Sequence, residues 1–491
     1  MDVTAADGDE EDGKEGTTNM SGTTANNIKV RTTGNLGARI LAAGHFVAND
    51  THASHLNNND LIIGPSGAGK TRGYVKPNLL QCSGSFIVTD TKGNLVREIG
   101  PVLAAHGYKV ACVDFTDAAG WGTSPVLGVP HATTLGYNPL DFIRTHGERF
   151  SEQDVLTVAS ALSPVEARIN DPFWDQAGAM YLSAFIAYVM DYLPRDERTL
   201  SSVVRMANMM GETVIETLMD EATAIDPNGM TARRWRSIKA LQQSEKTNSS
   251  IRGILESKLA PLSFDGADRL FSRPDRIDFV DLASDRWALF VNVSDTDRSM
   301  DRMVNLFYTQ ALQQLCRFAD ACGGSHLPVP VRLFLDDFAT NCRIPDFDKV
   351  IAVIRSRGIS VSVMLQSLTQ LESMYGAATA DSIANNCDHW LYLGGQDVST
   401  AQRISSKANR GLADIMQMPL GRAYLFERGR KAQLVRPYDL TEHPLFAETA
   451  EGRSLNAAAR RVVAAAERIV EGGGDGGPEE HGDDGRGEPL F

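Results

Sequence analysis

The sequence lacks any long hydrophobic run. Nowhere do the roughly 18 successive apolar residues of a membrane-spanning helix occur. The acidic start has neither the basic nor the apolar region of a signal peptide. Any membrane association is therefore expected to come through partners, at the cytoplasmic face. Paired cysteines are also missing. Cys82, Cys112, Cys316, Cys322, Cys342 and Cys387 are scattered, with no C-x-x-C and no His at ligand spacing, which argues against a zinc module or a disulfide scaffold.

Positive charge is scarce as well. A formal net charge of -14 would count against a nucleic-acid partner, but it is concentrated at the two ends. Residues 1–20 and 471–491 each carry seven acids and one base, so residues 21–470 are close to neutral. Such a body can hold a local basic stripe. Residues 1–27 and 472–491 are poor in large apolar side chains and are expected to be disordered acidic tails. Just before the second tail, LNAAARRVVAAAERIVE predicts a C-terminal helix over 448–471, with Val462, Val463, Ile469 and Val470 on one side.

Between the tails the chain is long enough for two folding units. Short aliphatic runs recur, each followed by turn residues and a helical stretch. They are DLIIG (60–64), SFIVTD (85–90), KVACVDF (109–115), WALFVNV (287–293), VRLFLDD (331–337), SVSVML (360–365) and HWLYLGG (389–395). Continuous apolar strands alternating with helices predict an α/β fold with a mostly parallel sheet covered on both faces. The alternation stops between about 150 and 280, where helix follows helix, so an all-helical insertion of domain size is expected.

The first run leads into Gly64, Pro65, Ser66, Gly67, Ala68, Gly69, Lys70 and Thr71, a G-x-x-x-x-G-K-T phosphate loop that opens a helix. The glycines allow backbone amides to curl around a phosphate, Lys70 offers a point charge to the β and γ oxygens, and the Thr71 hydroxyl can ligate Mg²⁺. A chance glycine turn is the alternative, and the flanking strand and helix argue against it. The implied cofactors are ATP and Mg²⁺.

A second carboxylate should end another buried strand, and VRLFLDD supplies it. Asp336 is the expected Mg²⁺ partner and Asp337 the group that orients or deprotonates the attacking water. The same acids could instead cap the helix that follows. SVSVML ends at Gln366, an uncharged group suited to touching the γ-phosphate or to closing a strand end. Between these strands, Arg355 is either an arginine finger for a neighbouring subunit or a helix-terminal arginine drawn by the dipole.

In the helical stretch, Arg233, Arg234, Arg236, Lys239, Lys246, Arg252 and Lys258 are interleaved with Gln and Ser. Such a stripe suits sequence-independent phosphate contacts, and it equally describes a solvated basic face.

The order and spacing of IIGPSGAGKTRGYVKPNLL, IVTDTKGNLVREIG, GYNPLDFI, DPFWDQAGAMYLSAFIAYV, LFLDDFATNCRIPDFDKVIAVIRSRGISVSVMLQSLTQLESMYG and ISSKAN, across roughly 56–445, resemble the TraG-like type IV coupling proteins of conjugation. The resemblance implies a RecA-like P-loop ATPase, interrupted by an all-helical domain, that forms a homo-hexameric ring. Such a ring hands DNA, as a single-stranded intermediate with its relaxase or an effector, to a type IV secretion channel. It implies Walker A at 64–71, Walker B at Asp336 and Asp337, a glutamine sensor at Gln366 and an arginine finger at Arg355. Asp90 matches the family's D-x-K-G, a position whose role the spacing does not reveal.

Two departures stand out. The family's second Walker B acid is usually Glu, where this chain has Asp337, one methylene shorter. The family usually begins with transmembrane helices, and this chain has none, so a truncated or partner-recruited form is expected.

The resulting division places the RecA-like domain at 28–150 and 284–447 and the helical insertion at 151–283. A DNA-translocating ATPase is the leading function. A nucleotide-dependent docking hub with little hydrolysis is the alternative that Asp337 keeps open, and an assembly ATPase of the same machine is a third.

Overall fold

The computed structural model of the chain describes residues 38–116, 126, 128–147, 149–165, 172–338 and 343–472. Apart from Gly472, which ends the helix Ala450–Gly472, the two acidic tails lie outside the described residues. The strands in chain order are β1 (Ala38–Ala42), β2 (His45–Ala48), β3 (Asp60–Ile63), β4 (Ser85–Asp90), β5 (Lys109–Asp114), β6 (Ala132–Leu135), β7 (Thr145–His146), β8 (Arg149–Phe150), β9 (Trp287–Asn292), β10 (Val331–Leu335), β11 (Ile359–Leu365), β12 (His389–Tyr392), β13 (Ala423–Glu427) and β14 (Gln433–Val435).

Ten of them form one sheet in the order β14-β13-β12-β3-β11-β10-β4-β9-β5-β6. From β12 to β6 every pairing is parallel, and β13 and β14 close one edge as an antiparallel pair. The expected mostly parallel sheet is thus what the chain forms. All seven predicted runs contain strands of it. The antiparallel edge and β6 were not foreseen, nor were the β1–β2 and β7–β8 hairpins outside this sheet.

Alternate residues of each strand face opposite ways and meet different cores. Leu61, Ile63, Val291, Leu333 and Val363 point into one core, which continues through Tyr181, Phe185, Met219 and Trp235 of the helices between Glu152 and Ser284. Ile62, Val88, Phe290, Phe334 and Met364 point into the other. There they meet Tyr74, Val75 and Leu79, next to the phosphate loop, and Val96, Ile99 and Leu103 of the helix Leu95–Ala105. Both faces of the sheet are therefore covered, as unbroken apolar strands require. Candidate functional groups gather at its carboxyl-terminal edge, where polar chain ends leave the apolar strands.

Candidate nucleotide site

The phosphate loop leaves the end of β3, the strand between β11 and β12. Gly64 donates its N–H to Leu365 O at 3.0 Å, which continues the ladder with β11. A Cβ on Gly64 would stand 2.9 Å from Leu393 Cβ, so only glycine fits there. Gly67 and Gly69 adopt φ of +79° and +88°, a region that favours glycine, with open space where a Cβ would stand.

The helix that follows starts with a wide turn over Thr71–Val75, in which Lys76 N–H bonds Thr71 O, and continues as Lys76–Leu80. Pro77 has no N–H to give to the preceding turn, which accounts for the opened ladder. Asn78 makes up part of the loss by donating to Tyr74 O at 2.7 Å, and it exchanges hydrogen bonds with the Ile40 backbone at 2.8 Å, pinning this helix to β1.

Lys70 is buried, and its ammonium donates to the loop carbonyls Gly64 O at 2.7 Å and Pro65 O at 3.3 Å. The same nitrogen lies 3.9 Å from Asp337 Oδ1. The Thr71 hydroxyl donates to Asp336 Oδ2 at 2.8 Å, and Asp337 N–H donates to Asp336 Oδ1 at 3.1 Å. Asp336 is buried at the end of β10. Burial raises its pKa, and the neighbouring charge of Asp337 adds to the shift, against the Thr71 hydrogen bond and the Lys70 charge. Asp337 takes a left-handed turn, φ +47°, which Asp tolerates better than most residues with a Cβ.

β11 lies between β3 and β10, so Gln366, at its end, stands beside the first residue of the loop and on the side of the paired acids. Lys70, Thr71, Asp336, Asp337 and Gln366 are therefore brought to one edge. Arg355 is not among them. It lies before β11, at the opposite edge, where its guanidinium donates to Thr51 O at 3.2 Å. Seven strand residues span about 23 Å, beyond the reach of an arginine side chain toward its own loop.

The donor set suits an anionic phosphate chain with a hard cation: the amides of a glycine-rich loop, one ammonium, a hydroxyl and a carboxylate. Among the described residues no cluster of three His, Cys, Asp or Glu side chains stands ready for a metal.

Asp90 acquires a role that its spacing did not supply. It is buried at the end of β4 and accepts the N–H groups of Lys92, Asn94, Leu95 and Val96 at 3.3, 3.2, 2.8 and 3.4 Å. It thus caps the helix Leu95–Ala105, a part for which Asp followed by a Gly-Asn turn was the available signal.

A buried ionic cluster at the other end of the central strands went unforeseen. Asp60 Oδ2 lies 2.7 Å from Arg39 Nε and 3.3 Å from Arg332 Nη1, His389 Nδ1 lies 3.2 Å from Asp60 Oδ1, and Tyr74 donates its hydroxyl to Asp60. Burial pushes the Asp60 carboxyl up, but the Arg39 charge, the His389 hydrogen bond and the Arg332 charge together hold it well below the usual carboxylate range. The cluster ties β1, β3, β10 and β12 to the helix after the phosphate loop. Removing Asp60 would strand two buried arginines, a loss of about 3–5 kcal/mol. Charged residues inside the runs VRLFL and DLII were the signal in the sequence.

The seven basic residues of the helical stretch do not form one open stripe. Arg233 forms an ion pair with Glu152 at 2.6 Å, Lys239 with Asp220 at 2.5 Å, and Lys258 with the buried Asp175. Arg236 donates to Pro227 O at 2.8 Å. Arg234, Lys246 and Arg252 make no ion pair among the described residues, and Lys246 and Arg252 are exposed.

No described helix is long and apolar enough to cross a membrane. The model of the family "Type IV secretory system Conjugative DNA transfer" matches residues 9–409. A conjugal transfer protein TraG of Escherichia coli is 24% identical over 390 residues, 73% of this chain and 58% of the relative. Protein VirD4 of Agrobacterium fabrum is 25% identical over 369 residues, 72% of this chain and 50% of the relative. The chain thus spans little more than half the length of these curated relatives.

Among solved structures, the bacterial conjugative coupling protein TrwBdeltaN70 in its unbound form aligns with a TM-score of 0.58 at 16% identity, covering 82% of this chain and 89% of that one. The plasmid coupling protein TrwB in complex with ADP and Mg²⁺ aligns with the same score at 15% identity and the same coverage. The fold is that of these RecA-like P-loop proteins.

Proposed function

The chain belongs to the type IV secretory system conjugative DNA transfer family, and from that premise we propose that it is one subunit of an ATP-hydrolysing coupling motor. The motor recruits DNA, with its bound relaxase or an effector, and helps move it to a secretion channel at the membrane. The observation that carries this reading is the 2.8 Å bond from Thr71 to Asp336, which joins the phosphate loop to the strand-end carboxylate.

The loop amides and Lys70 bind the β and γ phosphates, with the positive end of the helix dipole behind them. Thr71 and Asp336 would hold Mg²⁺, which would supply charge neutralisation on the phosphate oxygens. Asp337 orients a water molecule and takes its proton on a carboxylate oxygen. The water oxygen bonds to the γ phosphorus as the bond to the β–γ bridging oxygen breaks, leaving ADP and phosphate. Gln366 touches the γ-phosphate from β11. Arg355, at the far edge of the sheet, serves the site of a neighbouring copy, which implies a head-to-tail contact and a closed ring such as a hexamer. Lys246 and Arg252 are the best placed of the basic residues to meet single-stranded DNA.

A nucleotide-dependent docking hub with little turnover is a second reading, favoured by the short side chain of Asp337. ATP hydrolysis with and without single- and double-stranded DNA, compared with Lys70→Ala, decides between the two. Hydrolysis well above the Lys70→Ala background supports the motor. Background hydrolysis with intact nucleotide-dependent assembly supports the hub.

A further inference from the structure

Gln366 carries an amide with two different ends, and only one of them suits a phosphate. The NH₂ group donates to an anion, whereas the carbonyl oxygen repels it. Which end faces the loop is fixed by a second glutamine. The backbone N–H of Gln366, which can only donate, lies 3.2 Å from the side-chain amide of Gln370, so the Gln370 atom there is its oxygen, Oε1. The other Gln370 atom is then Nε2, a donor, and it lies 3.4 Å from the Gln366 side chain. Its partner must be an acceptor, which is Gln366 Oε1. One unambiguous backbone donor thus orients both amides. With its oxygen held by Gln370, the Gln366 amide has its NH₂ group left for another partner.

Gln370 is itself well anchored. It is the third residue of the helix Leu368–Tyr375, and its N–H donates to the Ser367 cap at 3.3 Å. That helix is fastened to a second one, Val398–Ala408 with its cap Asp397, by Leu368 N–H to Thr400 Oγ1 at 3.0 Å and by Thr369 Oγ1 to Asp397 Oδ2 at 2.8 Å. The ISSKAN segment ends this second helix. Gly64 N–H bonds Leu365 O, so the residue next to Gln366 in the chain is joined to the first residue of the phosphate loop.

We propose that Gln370 is a positioning residue that turns the Gln366 amide so that it offers its NH₂ group to the terminal phosphate of a bound nucleoside triphosphate. The site thereby tells triphosphate from diphosphate. This deepens the reading given above and rests on it.

Two substitutions separate this role from simple helix capping. Gln370→Glu keeps the oxygen that accepts from Gln366 N–H, and Glu at this position is a favoured capping residue, but it removes the donor to Gln366 Oε1 and turns the amide round. Gln370→Ala removes both contacts. The measurement is the affinity of purified protein for a non-hydrolysable ATP analogue and for ADP, each with Mg²⁺, alongside thermal unfolding. Gln370→Glu is expected to unfold at the wild-type temperature and to bind ADP as the wild type does, while its affinity for the ATP analogue drops about tenfold or more, the worth of one hydrogen bond to a charged group. An analogue-to-ADP ratio unchanged in both variants overturns the proposal and leaves the nucleotide site standing. Absence of nucleotide binding by the wild type overturns both.

Discussion

Thr71 and Asp336 are 265 positions apart in the chain, and the threonine hydroxyl reaches the aspartate carboxylate at 2.8 Å. In the proposed function this hydroxyl and this carboxylate would be the protein groups that hold Mg²⁺, the rest of its shell being left to water and phosphate. Thr71→Ala and Asp336→Asn should each lower nucleotide affinity at least tenfold in the presence of Mg²⁺ and change it little in EDTA. Calorimetric titration under both conditions checks this. An equal loss in both would mean that these residues support the loop rather than the metal.

Asp337 shares a turn with Asp336 and raises its pKa, second only to burial. Asp337→Asn preserves the shape of the turn and removes the charge. Hydrolysis should fall to the Lys70→Ala background while nucleotide binding survives. Because Asp336 then ionises more easily, Mg²⁺-dependent binding should persist to lower pH than in the wild type, as a titration from pH 7 to 5 would reveal. Asp337→Glu lengthens the acid but places a less tolerant residue at φ +47°, so some stability should be lost whatever happens to turnover.

Lys246 and Arg252 are exposed without an ion pair among the described residues, whereas Arg233 and Lys239 are matched by Glu152 and Asp220. Replacing Lys246 and Arg252 with Gln should weaken single-stranded DNA binding and reduce the slope of log affinity against log salt by about 1.4. The same change at Arg233 and Lys239 should alter that slope less. Equal slopes for the wild type and both pairs would move the DNA contact elsewhere.

His443 is buried, and burial lowers its pKa to about 4. Its Nδ1 accepts the Leu445 N–H at 3.1 Å, so the neutral ring carries its proton on Nε2. The unfolded chain binds a proton near pH 6.5 that the folded chain refuses until about pH 4. Stability from this residue is therefore complete above pH 6.5 and is lost as pH falls toward 4, on the order of 3 kcal/mol in all. Denaturant unfolding across that window should show the loss, and His443→Gln should flatten it. An unchanged slope in the variant would assign the pH dependence to other groups.

Much of the sheet was legible because buried parallel strands are apolar on both faces and read as unbroken runs, as in SFIVTD and SVSVML. The antiparallel edge was not, since AYLFE of β13 sits between turn residues and its pairing with β12 is set by tertiary contact. The loop at 64–71 announced itself because its chemistry demands glycines at fixed positions. The Asp60 cluster did not, because Arg39, Asp60, Arg332 and His389 are far apart in the chain and have partners only once the sheet is built. The same limit applies to the basic stripe. Helical spacing located Arg233 and Lys239, but Glu152 and Asp220, which match them, belong to other helices.

In the proposed motor each site is completed by a neighbouring copy, with Lys70 from one subunit and Arg355 from the next. Lys70→Ala and Arg355→Ala should each hydrolyse ATP at background rate, and an equal mixture of the two should recover activity, because about a quarter of the sites in mixed rings would hold both intact residues. Recovery on mixing is the predicted result. A mixture no more active than its components, or an Arg355→Ala protein that hydrolyses ATP like the wild type, would contradict it.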